Sequence, residues 1–151
     1  MPSVTPFLWY DSQAEEAMNL YASIFPNSRI GNVSRAGDRV ISVDFELEGQ
    51  KFMALNGGPM YKFNESVSFF VACDTQQEID HYWDRLTADG GEPGRCGWLK
   101  DKYELSWQIV PKALGKFLSS GDPATAKRVV DTFMQMNKLD VKKLQDAYDN
   151  N

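Results

Sequence analysis

A nine-residue segment, Phe7-Leu-Trp-Tyr-Asp-Ser-Gln-Ala-Glu15, returns in altered form as Phe70-Val-Ala-Cys-Asp-Thr-Gln-Gln-Glu78, at an offset of 63 residues from Asp11 to Asp74. In each copy an apolar run ends at an aspartate, a hydroxyl residue follows, and a helix-period segment opens with Gln and Glu. That order reads as strand, cap and helix, written twice. Two copies cannot stack into a solenoid, which needs at least three units to bury a continuous core. The repeat therefore predicts two related half-domains that share one core and bind something between them.

Composition removes several classes of partner. The net charge of −5 and pI of about 4.9 give a field that repels phosphate backbones and anionic membrane surfaces, so nucleic acid is not an expected partner. Lys127-Arg128 and Lys142-Lys143 alternate with acids at helical spacing and read as solvated faces. No apolar run approaches the roughly 20 residues of a membrane span. The start, Met1 to Phe7, has no basic stretch followed by an apolar one, and a cytoplasmic protein is expected. Cys73 and Cys96 are too few and too far apart for a zinc knuckle or a redox pair. Cys73 ends an apolar strand and reads as a small core residue.

The pattern predicts a first module with a strand from Val4 to Tyr10 and a helix capped by Asp11 or Ser12 that runs to about Phe25, its apolar stripe being Ala14, Ala17, Met18, Tyr21 and Phe25. Strands Ser28 to Ala36, Val40 to Leu47 and Phe52 to Asn56 follow, with turns at Gly37-Asp38 and Glu48-Gly49-Gln50. In the middle strand Ile41, Val43, Phe45 and Leu47 take one face and Ser42, Asp44 and Glu46 the other. The second module repeats the order. Its strand runs from Val67 to Cys73, its helix from Thr75 to about Ala88 over Ile79, Tyr82, Trp83 and Leu86, and Asp89-Gly90-Gly91 ends the helix. Shorter strands are expected around Gly94 to Leu99 and Leu105 to Val110, joined by a turn from Lys100 to Glu104. Beyond Pro111, Asp122-Pro123 starts a helix reaching about Lys138, and Asp140 caps a last one with Val141, Leu144 and Tyr148 inward. The fold class is thus α+β: two βαβββ modules forming a cupped mixed sheet, with a C-terminal helical tail. Residues 1–151 read as one domain, with modules at 3–60 and 65–111 and helices at 112–149.

Phe7-Leu-Trp-Tyr-Asp-Ser-Gln-Ala-Glu-Glu-Ala17, Tyr21…Phe25-Pro-Asn-Ser-Arg-Ile30, Phe52-Met-Ala-Leu-Asn-Gly-Gly-Pro59 and Cys96-Gly-Trp-Leu-Lys-Asp101…Ser106-Trp-Gln-Ile-Val-Pro111 resemble the PhnB-like family. That family belongs to the vicinal oxygen chelate superfamily, with glyoxalase I, bleomycin-resistance proteins and extradiol dioxygenases. The resemblance extends to the tail segment Met134 to Asp140. It also carries the name 3-demethylubiquinone-9 3-methyltransferase. A methyltransferase of the usual kind needs a glycine-rich turn between a buried strand and a helix. Gly57-Gly58-Pro59 and Gly90-Gly91 read as ordinary turn glycines, so the name is not expected to describe the activity.

The resemblance implies a cup that, in metal-dependent relatives, holds a divalent ion through ligands on the first and last strands of each module. Those positions fall near Val4 or Thr5, at Ala54, at Ser68 and at Gln108, and of these only Gln108 could ligate. No cofactor is expected, although a divalent metal with non-standard ligation stays open. The sole histidine, His81, falls within a helix and reads as a surface or boundary residue. Asp44 and Glu46 share a strand face and could line the cup, either as a solvated face or as an acid–base pair.

What remains is aromatic and amide chemistry. Trp9, Tyr10, Trp98, Tyr103 and Trp107 are spread over both modules, and strand alternation puts Ser106 and Gln108 opposite Trp107 and Ile109. If Gln108 lines the cup, Ala54, Asn56, Ser68 and Ser106 are expected beside it. The candidate ligand-binding residues are therefore Gln108, Asn56, Ser68, Trp9 and Trp98. A lining of this kind suits a small, largely apolar or planar molecule. Two alternatives stand beside binding: a lyase, isomerase or dioxygenase with a non-standard metal or none, and a dimeric interaction protein. A homodimer is expected in any case, because uncovered sheet edges and the apolar tail residues Phe133, Met134 and Met136 offer surface to a twofold partner.

Overall fold

In the computed structural model, which describes residues 1–119 and 121–150, the repeat becomes two four-stranded mixed sheets, each backed by one helix. The chain divides into two compact units, Met1–Phe63 and Asn64–Asn151.

The first unit runs β1 (Phe7–Tyr10), α1 (Ala14–Ile24), β2 (Ser28–Ala36), β3 (Arg39–Leu47) and β4 (Gln50–Asn56), with sheet order β1-β4-β3-β2. β1 lies parallel to β4 and the other pairs are antiparallel. Glu48 and Gly49 both have positive φ, at 49° and 85°, as the two-residue hairpin joining β3 to β4 demands. Val43, Phe45, Leu47, Phe52 and Ala54 pack beneath Ala14, Ala17, Met18, Tyr21 and Ile24 of the helix, all buried. Phe45 stacks on its cross-strand neighbour Phe52 with ring centroids 5.3 Å apart, and the buried hydroxyls of Tyr10 and Tyr21 meet at 2.9 Å.

Two expectations change here. The first strand begins at Phe7 rather than Val4, and Val4 is fully exposed. Neither Asp11 nor Ser12 caps α1. Its first residue, Ala14, donates its backbone N–H to Oδ1 of Asn56 at 2.8 Å, so the cap comes from the end of β4, 42 residues away. An orphan N–H donates to whichever oxygen the fold brings to it, and a distant strand brought the better one.

The second unit runs β5 (Ser68–Cys73), α2 (Gln76–Thr87), β6 (Glu92–Pro93), β7 (Trp98–Lys100) and β8 (Ser106–Pro111), with sheet order β5-β8-β7-β6. β5 is parallel to β8, as β1 is to β4. Thr75 caps α2, its Oγ1 accepting from the Glu78 N–H at 3.2 Å. Ile79, Tyr82, Trp83 and Leu86 are the buried stripe, as the 3.6-residue period predicts. They cover Leu99, Trp107, Ile109 and Cys73, and each such side chain removed from water contributes about 1.5–3 kcal/mol. The expected strand Gly94 to Leu99 is instead two short pieces. Cys96 and Gly97, at φ 60° and 84°, turn the chain between them.

The tail also departs from the pattern. A helix α3 (Lys112–Leu118) that the pattern does not mark follows β8 directly, and α4 (Pro123–Phe133) ends five residues before Lys138. The reason lies outside the helix. Cys96 and Gly97 donate their N–H groups to the carbonyls of Met136 and Asn137, both at 2.8 Å, holding that stretch as a clasp of turns and bends. Asp140 caps α5 (Val141–Asp149) as expected, accepting from Lys143 N–H at 3.0 Å. Leu114, Phe117, Val129, Leu139 and Leu144 close a second small core around Val110. Gln76 of α2 fastens it, accepting from Val141 N–H at 2.8 Å and donating to the Leu139 carbonyl at 3.1 Å.

Cys73 is buried as expected, and that burial pushes its thiol up from 9.0 to about 12. Unfolding returns the thiol to its ordinary value. The resulting stabilisation is fully present below pH 9 and is lost as the pH rises from 9 toward 12. With a disulfide reagent at pH 8, Cys73 is expected to stay unlabelled until denaturant is added; labelling of Cys73 in the native chain would contradict this.

Candidate functional site

Strand register decides which side chains can meet a ligand. In the second sheet Phe70, Gln108 and Trp98 form one cross-strand row, and Ser68, Ser106 and Lys100 form the next. Paired residues project to the same side, so these six share the face away from α2. Phe69, Trp107 and Leu99 occupy the row between and point to the helix. The expected opposition of Ser106 and Gln108 to Trp107 and Ile109 is therefore present.

This open face has a definite chemistry. Phe70 is 60% exposed, whereas Gln108, Trp98, Ser68 and Lys100 are half-buried. Gln108 donates from Nε2 to Ser68 Oγ at 2.9 Å. Among the described residues no donor meets its Oε1, which leaves an amide acceptor beside an indole and a phenyl ring. Lys100 forms an ion pair with Glu65. That hydrogen bond holds the Glu65 carboxyl below its usual range and the Lys100 ammonium above its own, so both stay charged at neutral pH.

In the first sheet the open face carries Phe7 and Trp9 from β1, Met53 and Leu55 from β4, and Asp44 and Glu46 from β3. Ala54 and Asn56 lie on the other side, beneath α1. The expectation that they line a cup is reversed. Ala54 is fully buried, and Asn56 spends both ends of its amide on the fold, its Nδ2 donating to the Val40 carbonyl at 3.2 Å while Oδ1 caps the helix. The cause is a slip of one residue. Phe52 and Met53 are adjacent large apolar residues, so alternation alone leaves their sides open, and a shift by one moves every side chain to the opposite face. Phe52, tightly stacked on Phe45, takes the inside. Met53, rather than the expected Ala54, is then the β4 counterpart of Gln108, since Phe7 pairs with Met53 as Phe70 does with Gln108.

Trp9 does lie on the open face, with its Nε1 donating to the Gly58 carbonyl at 2.9 Å and its ring edge-on to Tyr61 at 4.9 Å. The ring rests on Gly57, where a Cβ would collide with it, so Gly57 serves close approach as well as turning. Tyr10 and Trp107 are core residues. His81 is on the exposed side of α2, edge-on to Tyr82 at 4.9 Å.

Asp44 and Glu46 line a groove of about 300 Å³ with Thr5, Arg29, Lys51 and Met53. Both acids are engaged. Glu46 pairs with Arg29 at 3.3 Å, and Asp44 Oδ1 accepts from Asn32 N–H at 3.2 Å. Gly31 and Asn32 sit in a bulge between Ile30 and Val33 that faces Asp44, and a Cβ on Gly31 would strike the carboxylate.

The metal positions that the resemblance implies can now be tested on the residues present. With the corrected register they are Thr5, Met53, Ser68 and Gln108, two hydroxyls, a thioether and an amide. None is an ionised or imidazole ligand, and this set does not fit a divalent ion. Among the described residues no three His, Cys, Asp or Glu are grouped to hold a metal.

The family model described as 3-demethylubiquinone-9 3-methyltransferase matches residues 2–110. A solved PhnB protein from Bacillus cereus is 33% identical, with the match covering 73% of this chain and 99% of that one at a TM-score of 0.68. A glyoxalase/bleomycin resistance protein from Albidiferax ferrireducens T118 is 12% identical over 73% of this chain and 98% of its own, at a TM-score of 0.51. The fosfomycin resistance protein FosX of Listeria monocytogenes, solved with Mn(II) and sulfate, is 17% identical over 72% and 89%, at 0.50. The last two show the fold alone. Among curated proteins none matches. The family match stops at residue 110, so the tail resemblance expected over Met134 to Asp140 lies beyond it.

Proposed function

Because the chain belongs to the PhnB-like family of the vicinal oxygen chelate superfamily, the family described as 3-demethylubiquinone-9 3-methyltransferase, we propose that it binds a small, largely apolar or planar molecule on the open face of the second sheet. One observation carries the reading: Gln108 stands in a single cross-strand row between Phe70 and Trp98, its Oε1 unclaimed. Two ring surfaces flanking one amide hold a flat molecule and orient one polar group on it. Ser68 belongs to the same site through its bond to Gln108. Trp9 offers a similar ring on the first sheet, whereas Asn56 is withdrawn from the list by its duty at α1.

Two other readings are weaker for stated reasons. The turns from β1 to α1 and from β5 to α2 carry Asp-Ser-Gln and Asp-Thr and no glycine, which gives a methyl-donor nucleoside no close backbone approach. Asp44 and Glu46 could serve acid–base chemistry in their groove, but each is already engaged, Glu46 by Arg29 and Asp44 by the Asn32 N–H. We also read the chain as a cytoplasmic homodimer. Val67 is exposed just before edge strand β5 and Phe7 at edge strand β1, surface that a twofold copy covers.

The test uses 2-naphthol and, as a matched probe without a hydroxyl, naphthalene, titrated calorimetrically into the full chain. Gln108→Leu is expected to weaken 2-naphthol binding at least about tenfold, near 1.4 kcal/mol, while stability stays within about 1 kcal/mol. A stability loss well above about 1 kcal/mol with unchanged uptake of the probe by the folded variant would make Gln108 a structural residue and remove the site.

A further inference from the structure

Ser106 is 1% exposed, and its Oγ is a buried side-chain oxygen that has no hydrogen-bond partner among the described residues. Native proteins rarely leave such a group unpaired, because its lost hydration is not replaced. Resting on the reading of this face as a binding surface, we propose that Ser106 is a positioning residue: its hydroxyl waits for Ser68, which turns to it when Gln108 gives its amide to a bound molecule.

The geometry needs only one side-chain rotation. Ser68 and Ser106 are register partners on the parallel strands β5 and β8, so both hydroxyls stand on the open face of strands about 4.8 Å apart. Gln108 is the next residue along β8 on that same face. Ser68 therefore has two partners to choose between, Ser106 directly across and Gln108 one step along. In the free chain it is turned to Gln108, accepting from Nε2 at 2.9 Å, and Ser106 is left orphaned. A ligand hydroxyl that donates to Oε1 and takes the Nε2 hydrogen now given to Ser68 replaces Ser68 there. Ser68 is released, and a change of χ1 from one staggered well to another points its hydroxyl at Ser106. Two serine hydroxyls satisfy each other in either direction.

The free chain thus carries an unmet hydrogen bond that binding repairs. The repair favours molecules with an oxygen for Gln108, because a purely apolar molecule of the same shape does not free Ser68. The ligand class that follows is a planar, uncharged molecule with one hydroxyl at its edge. Removing the Ser106 hydroxyl has opposite effects on the two states. It relieves the free chain and deprives the bound one.

The experiment compares the full-length wild-type chain with Ser106→Ala, Ser68→Ala and the double variant, using thermal unfolding without ligand and calorimetric titration with 2-naphthol and naphthalene. Ser106→Ala is expected to raise Tm by about 2–4 °C and to weaken 2-naphthol binding about fivefold, with naphthalene binding unchanged. The double variant should bind 2-naphthol as Ser68→Ala does, because Ser106 acts only through Ser68. The Gln108 side-chain amide resonance should shift on adding 2-naphthol, and the affinity gap between wild type and Ser106→Ala should vanish in the Ser68→Ala background, which a merely structural serine would not produce. A fall in Tm for Ser106→Ala would show that the hydroxyl has a partner in the free chain and would overturn the proposal. Unchanged 2-naphthol affinity in Ser106→Ala, alongside a loss in Gln108→Leu, would remove the role of Ser106 and leave the binding face standing. No uptake of 2-naphthol by the wild-type chain would remove both.

Discussion

Asp101→Ala should cost the protein about 3–5 kcal/mol, a large share of the roughly 5–15 kcal/mol that holds a domain of this size together. The carboxylate is only 2% exposed and accepts at least three hydrogen bonds inside the turn from β7 to β8. Oδ1 takes the backbone N–H groups of Tyr103 at 2.9 Å and Leu105 at 3.1 Å, and Oδ2 takes the indole N–H of Trp107 at 2.9 Å. The main chain closes the same loop, Asp101 N–H donating to the Leu105 carbonyl and Glu104 N–H to that of Asp101, both at 2.9 Å. Alanine would strand three donors, and a buried donor without a partner costs about 1–3 kcal/mol. Asp101→Asn keeps the shape, but its amide NH2 must face at least one of those donors, so about half the loss is expected. Urea unfolding would show the midpoint falling with the slope unchanged. A loss under about 1 kcal/mol for Asp101→Ala would mean that the carboxylate is not the organiser of this turn. The consequence reaches the candidate site, because the turn sets where β8 starts and hence where Ser106 and Gln108 stand.

Gly97→Ala is expected to cost about 3 kcal/mol and to loosen the tail from the second sheet. Gly97 has φ 84°, a region in which a side chain is strained by about 1–2 kcal/mol. A Cβ there would stand 2.8 Å from the Ile109 carbonyl oxygen and 3.1 Å from Cδ1 of Leu139. Relief by backbone movement is closed off, since Gly97 N–H bonds to the Asn137 carbonyl and its own carbonyl accepts from Ile109 N–H, each at 2.8 Å. Amide exchange gives the sharper reading. The protons of Cys96 and Gly97 should lose protection together with those of α5, whereas the α1 amides should keep theirs. Uniform loss across both units would show that the clasp is not a local device.

The helices show how much a pattern can say. Ala17, Met18 and Tyr21 in α1, and Ile79, Tyr82, Trp83 and Leu86 in α2, are buried where the 3.6-residue period puts them, because a lone helix has one direction in which to hide its stripe. The repeat of strand, cap and helix was visible for the same reason. Local chemistry recurs wherever local structure recurs. The caps Thr75, Asp122 and Asp140 also follow from their own neighbours, each bonding an N–H two or three residues ahead.

Strand faces were legible only where one neighbour is plainly polar. Gln108 between Trp107 and Ile109 is unambiguous, and its side of the sheet could be read from the chain. Met53 beside Phe52 could not, because both are large and apolar and only the stacking of Phe52 on Phe45 selects which goes inside. Asn56 shows the same limit in a polar residue. Its type suits a ligand site and a helix cap equally well, and the approach of β4 to the start of α1 chose the cap.

The amino-acid sequence by itself determined the two-module α+β plan, the helix stripes and the placing of Gln108 opposite Trp107, all of which depend on periodicity within one segment. Tertiary structure alone decided the cap on α1, the early end of α4 at the Met136–Asn137 clasp, the inward turn of Asn56 and the orphaned hydroxyl of Ser106. Each of these is a choice of hydrogen-bond partner between segments distant in the chain, and such choices depend on which strands become neighbours, a fact that no local period encodes.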